Sequence, residues 1–162
     1  MNVPMYLTLI RHGNASAPTA DGGDQGRILT AAGRADIRTT GKALKAEGVR
    51  PDAVWCSPLV RAVQTAELVA TELAFGGEVE AYPFLEPHGS LGALLATLGE
   101  RPELEVVVIA GHEPFLSGAA SLLLGLRVSG FPTAGAFHIE LARLEPDAGS
   151  LLWRWVHGGI VR

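Results

Sequence analysis

Apolar residues along this chain fall into two patterns. Short unbroken runs rich in β-branched and aromatic side chains, Tyr6-Leu7-Thr8-Leu9-Ile10, Ala53-Val54-Trp55-Cys56 and Val106-Val107-Val108-Ile109-Ala110, read as buried strands. Val79 to Leu85 reads as a further strand. Between these runs the apolar positions recur at helical spacing. Thr30 caps a helix carrying Ile37, Leu44 and Val49, with Gly48 as its stop. Ser57-Pro58 supplies a capping hydroxyl and a first-turn proline for a helix with Leu59, Val63, Ala66, Val69, Ala70 and Leu73 on its apolar face and Arg61, Gln64 and Thr65 elsewhere. Leu91, Leu94, Leu95 and Leu98 mark a short helix closed by Gly99, and Phe115 to Leu124 marks another. Ala136 to Leu144 and Ser150 to Val156 flank Pro146-Asp147-Ala148-Gly149 as an antiparallel hairpin, and Asn14 to Gly26 is a polar loop.

The alternation of strands and helices predicts an α/β fold: a three-layer α/β/α sandwich whose central sheet is mostly parallel, with an antiparallel edge hairpin. Right-handed crossovers in such a sheet bring the strand exits to one edge. The length, 162 residues, suits a single domain spanning 1–162.

Composition narrows the functions available. A formal net charge of −4 argues against a broad basic surface for nucleic acid, so an anionic ligand has to be held locally. With Cys56 as the one cysteine, an internal disulfide cannot form, which fits a reducing, cytoplasmic setting. The leading Met-Asn-Val-Pro-Met-Tyr has no basic leader, and no apolar run approaches the ~20 residues of a membrane span. We therefore expect neither nucleic acid nor membrane as a partner.

Ligands of open α/β sheets sit outside the carboxyl ends of the strands. Three strand exits here carry Arg11-His12-Gly13, Ser57 through Arg61, and Gly111-His112-Glu113-Pro114. Two guanidinium groups fork onto the oxygens of a tetrahedral dianion, helix amides add donors, and two imidazoles stand beside them, so the expected ligand is phosphate. Adjacent arginines would repel a divalent cation, and no His-x-x-x-His or carboxylate cluster accompanies them, so neither a metal nor a cofactor is expected. A histidine at a strand end is ordinarily structural; His12 and His112 gain meaning from their company.

These segments, together with Ser57-Pro58-Leu59-Val60-Arg61-Ala62-Val63-Gln64-Thr65-Ala66, resemble the histidine phosphatase superfamily in order and spacing. Short length, Ile28-Leu29-Thr30 before the first helix and the compact Leu85-Glu86-Pro87 segment look like its small phosphohistidine phosphatases of the SixA type. The resemblance implies that neutral His12 attacks phosphorus and forms a covalent phosphohistidine, while Arg11, Arg61 and His112 hold the equatorial oxygens. It makes Glu86 a candidate proton donor, although the Pro87-His88-Gly89 context departs from the larger relatives' pattern; His88 and Glu113 are the other candidates. Asn14, Ser57 and Glu113 are candidate phosphate contacts, although an asparagine in a polar loop is more often a turn residue and Ser57 reads first as a helix cap.

The substrate is then a phosphorylated protein such as a histidine phosphotransfer domain, with inorganic phosphate as product. A small phosphoester substrate, mutase activity and a non-catalytic phosphate-binding module remain as alternatives. Cys56 reads as a buried thiol, His138 and His157 as structural or exposed, and Trp153 and Trp155 as packing residues on one face of the last strand.

Overall fold

The computed structural model describes residues 4–162, so the reading of the first three residues as lacking a leader lies outside the described residues. Its strands are β1 (Met5–Arg11), β2 (Ala53–Cys56), β3 (Val79–Ala81), β4 (Val106–Gly111), β5 (Ala136–Leu141), β6 (Gly149–Val156) and β7 (Gly159–Val161). Its helices are α1 (Ala31–Ala46), α2 (Val60–Glu72), α3 (Leu91–Gly99) and α4 (Phe115–Leu124).

The strands form one mixed seven-stranded sheet in the order β3-β2-β4-β1-β5-β6-β7. The first four run parallel to one another, and β5, β6 and β7 continue the sheet antiparallel. The α/β sandwich expected from the sequence is the observed class, with a three-stranded antiparallel extension in place of a simple edge hairpin. Strand alternation sends side chains to both faces. Leu7, Leu9, Trp55, Val107 and Ile109 pack against Leu94 and Leu98 of α3 and Leu116 and Leu123 of α4. Ile10, Val54, Cys56, Val108 and Ala110 pack against Ile37 and Leu44 of α1 and Ala62, Ala66 and Val69 of α2. The two cores explain why β1, β2 and β4 are apolar without interruption: each has a helix layer on either side.

Several local expectations change. Ser57 does not cap α2, which starts at Val60 after Leu59, whose side chain makes no capping bond. The inward face of α2 runs through Arg61, Ala62, Thr65, Ala66 and Val69, so Arg61 and Thr65 lie on the buried stripe. The strand expected over Val79 to Leu85 ends at Ala81, and Pro83–Leu85 forms a 3₁₀ turn, as proline at the first of those positions would favour. α1 ends at Ala46, with Gly48 in the left-handed region at φ 83° and Val49 buried beyond the helix. No helix among the described residues is long and apolar enough to cross a membrane.

Candidate active site

Sheet register assembles the site. Arg11 pairs with Gly111 across β1 and β4, and Cys56 pairs with Ala110 across β2 and β4, so these three parallel strands end level with one another. Beyond those ends the backbone still holds register: the His12 amide donates to the Gly111 carbonyl at 3.0 Å and the Ser57 amide to the Ala110 carbonyl at 3.3 Å. Residues 12, 57 and 112 thereby stand side by side. The Arg-His-Gly turn is wedged under α1, where a Cβ on Gly13 would come within 2.8 Å of the Gly33 carbonyl oxygen and of Ile37, so only glycine fits.

The imidazoles of His12 and His112 face each other with ring centroids 5.1 Å apart and planes inclined at 57°. They are buried, at 7% and 1% exposure. His12 Nδ1 lies 2.7 Å from the Gly13 carbonyl oxygen, which can only accept, so Nδ1 carries the ring proton and Nε2 keeps its lone pair. Arg61 Nε donates to that Nε2 at 3.4 Å. Burial first, offset in part by the Gly13 bond, and then the nearby Arg61 and Arg11 charges bring the His12 pKa down to about 4. Burial and the neighbouring His12 and Arg61 bring His112 down to about 3. Both rings are neutral at neutral pH, the state a nitrogen nucleophile needs.

Ser57 Oγ lies 2.6 Å from His112 Nε2 and accepts from the Leu59 amide at 3.2 Å. Among the described residues the Ser57 hydroxyl has no other acceptor, so its proton goes to Nε2, which puts the His112 proton on Nδ1. That Nδ1 is buried without a protein partner, and so is Arg11 Nε; among the described residues these are the two such side-chain nitrogens or oxygens. Arg11 is fixed through its other end, Nη1 donating to the Phe131 carbonyl at 2.8 Å. Thr65 ties the turn to α2 by accepting from the Gly13 amide at 3.3 Å and donating to the Arg61 carbonyl at 2.8 Å.

The remaining candidates are placed differently. Glu113 is not turned to the histidines: its carboxylate accepts from the Ser117 amide at 2.8 Å and the Phe131 amide at 3.3 Å, holding the start of α4 to the 131 loop. Asn14 is exposed and bonds to Thr30 at the head of α1, as a turn residue would. Glu86 is half-buried and lines a cavity of about 220 Å³ with Asp24, Gln25, Leu59, Pro83, Pro87 and the exposed His88. Two charged residues escaped the sequence reading. Asp24 binds Arg61 through its backbone oxygen at 2.9 Å and Oδ2 at 3.1 Å, while its Oδ1 takes a bond from Arg27 at 3.2 Å. Their signal was an acid and a base three positions apart inside a glycine-rich loop directly after His12. Among the described residues no three histidine, cysteine or carboxylate side chains gather as metal ligands.

The family model of the histidine phosphatase superfamily (branch 1) matches residues 7–86. The chain is 35% identical over 154 residues to phosphohistidine phosphatase SixA of Escherichia coli (strain K12), covering 93% of this chain and 92% of that protein. It superposes on a structure of the protein histidine phosphatase SixA complexed with tungstate, with TM-score 0.85, 28% identity and coverage of 94% and 97% of the two chains. A mycobacterial glucosyl-3-phosphoglycerate phosphatase shares the fold, with TM-score 0.72 at 16% identity over 93% of this chain and 98% of that one. By motif order, fold and sequence, the chain belongs to the histidine phosphatase superfamily, among its small SixA-type members.

Proposed function

We propose that this phosphatase removes the phosphoryl group from phosphohistidine on a protein, such as a histidine phosphotransfer domain, through a covalent intermediate on His12 and without a metal. One observation carries the reading: among the described residues the two buried side-chain nitrogens left unpartnered, Arg11 Nε and His112 Nδ1, both belong to residues beside the His12 ring. Leaving such groups unpaired costs about 1–3 kcal/mol each, a cost a bound oxyanion removes. Tungstate in the SixA complex is a tetrahedral oxyanion of the kind these donors suit.

His12 Nε2 attacks phosphorus in line, the bond from phosphorus to the substrate nitrogen breaks, and the departing imidazole takes a proton. Water then attacks phosphohistidine 12 and releases inorganic phosphate. Arg11, Arg61 and His112 stabilise the charge on the equatorial oxygens. Glu86, on the rim beside Asp24, is the proposed proton donor, and imidazole needs less help in leaving than an alkoxide does. Between Arg61 and His112 the chain is taken up by α2, β3, the 3₁₀ turn, α3 and β4, with no inserted lid, which suits a phosphoryl group carried on a protein.

The test is to incubate the protein with a phosphohistidine-bearing phosphotransfer domain labelled on phosphorus and to quench at alkaline pH. The expected result is an acid-labile label on the enzyme that is absent from His12→Ala. A label that forms equally well in His12→Ala ends the nucleophile assignment, and a higher kcat/KM for sugar or glycerate phosphates ends the phosphohistidine assignment.

A further inference from the structure

Arg61 is already occupied. Its Nε spans to the His12 lone pair at 3.4 Å, while Nη1 and Nη2 hold the Asp24 backbone oxygen and carboxylate at 2.9 and 3.1 Å. The second Asp24 oxygen meets Arg27 Nη1 at 3.2 Å, and Arg27 is itself fixed by Nε donating to the Ser16 carbonyl at 2.7 Å. A carboxylate is therefore bracketed by two guanidinium groups at the outer edge of the histidine pair, the environment that a phosphoryl group would seek. Arg27 and Arg61 hold this carboxyl below the usual carboxylate range, so it is an anion at neutral pH.

The two partners differ in what holds them. The Arg61 side chain is 4% exposed and rooted in α2, whereas the Asp24 side chain is 57% exposed. The loop is tied down at its base, where the Ser16 amide donates to the Ile28 carbonyl at 2.8 Å and Ala15 bridges Leu29, but its outer part, residues 17–25, is exposed. Asp24 can leave Arg61 without disturbing either core; Arg61 cannot leave in the same way. A buried base needs an anion beside it, and an exposed acid is one that another anion can replace.

We propose that Asp24 is an exchange latch: it occupies Arg61 in the resting enzyme, yields to the substrate's phosphoryl group, and returns to Arg61 to expel inorganic phosphate. The latch rests on the phosphate-transfer reading of the same pocket. While closed it keeps the Arg61 Nε–H on the His12 lone pair; opening frees that lone pair as the guanidinium turns to the phosphoryl oxygens. Because only the unlatched fraction binds, the latch weakens the apparent affinity for any phosphate, product included, by the reciprocal of that fraction.

The test uses inorganic phosphate, titrated into the whole protein by calorimetry at a pH where it is mainly the dianion. Asp24→Asn keeps the size of the side chain and the backbone bond to Arg61 while removing the charge, and its expected effect is binding tighter by roughly two- to fivefold. Asp21→Asn removes the same charge from the same exposed loop, and Asp21 has no bond to Arg61; its expected effect is none. Equal or weaker binding by Asp24→Asn overturns the latch and makes Asp24 a support for Arg61. Equal tightening by both variants also overturns it, as a general charge effect. If the folded wild-type protein binds no phosphate, the pocket reading itself fails, and the latch with it.

Discussion

Two buried histidines, on strands two places apart in the sheet, differ in consequence. His138, on β5, lies between the rings of Tyr6 and Trp153 at centroid distances of 5.8 and 4.8 Å, and its Nδ1 bonds the buried Thr8 hydroxyl at 2.9 Å. His112, at the end of β4, has one nitrogen on Ser57 and the other without a partner, facing a second histidine and within the field of two arginines. Burial lowers the pKa of both, so titration does not separate them. What separates them is hydrogen-bonding capacity: His138 spends its Nδ1 inside the fold, and His112 holds a donor in reserve.

That contrast is broken most forcefully by truncating His112. Oxyanion donors are worth about 10²–10³ in rate. His112→Ala should therefore lower kcat/KM about 10²–10³-fold on a phosphohistidine substrate, with the buried Ser57 hydroxyl left unpaired as its cost in stability. A His112→Ala enzyme with near-normal turnover would make this ring as structural as His138.

The converse variant is His138→Phe, which keeps a flat ring between Tyr6 and Trp153 but strands the Thr8 hydroxyl in a fully buried position. An unsatisfied buried hydroxyl costs about 1–3 kcal/mol. Thermal and denaturant unfolding should show that loss with turnover unchanged, and a fall in kcat without a fall in stability would tie β5 to the chemistry.

The sequence conveyed these two regions unequally. β1, β2 and β4 were legible because unbroken apolar runs between two helix layers have few other readings, and the Arg11-His12, Arg61 and His112 positions followed from where those runs stop. Ser57 was misread because a serine before proline is the usual mark of a cap; here α2 starts later and the hydroxyl turns to a histidine 55 positions away. Arg61 and Thr65 were assigned away from the apolar face because small alanines, rather than large side chains, line the buried stripe of α2. β7 was missed because its three residues follow a turn in which His157 and Gly158 both have positive φ, 49° and 78°, a conformation the side chain of His157 does not advertise. Asp24 binds a residue 37 positions distant, a pairing no local pattern encodes.

Ser57 gives a finer cut of the comparison. Its proposed work is to hold the His112 proton on Nδ1 by donating to Nε2, so Ser57→Ala leaves the ring in place but lets it choose its tautomer. A single hydrogen bond of this kind corresponds to about tenfold in rate. Turnover by Ser57→Ala should fall about tenfold, and Ser57→Thr, which keeps the hydroxyl, should recover most of it. Equal losses in both variants would assign the effect to packing.

The smallest expected change comes with pH. With His12 at about 4 and His112 at about 3, imidazole nitrogen spectra should show both rings neutral from pH 7.5 down to pH 5, where about nine-tenths of His12 still lacks the second proton. The sign for stability is fixed by the same shifts. The folded rings bind protons less readily than their unfolded counterparts near 6.5, so their contribution is complete above that pH and is lost as pH falls from about 6.5 to about 4 for His12 and to about 3 for His112. His138 shares the direction, so His138→Phe should flatten this acid loss in part while leaving the His12 titration where it was. A His12 ring that takes up its second proton near pH 6.5 would mean an open, hydrated nucleophile, and the distinction between a reserved nitrogen and a spent one would lose its physical basis.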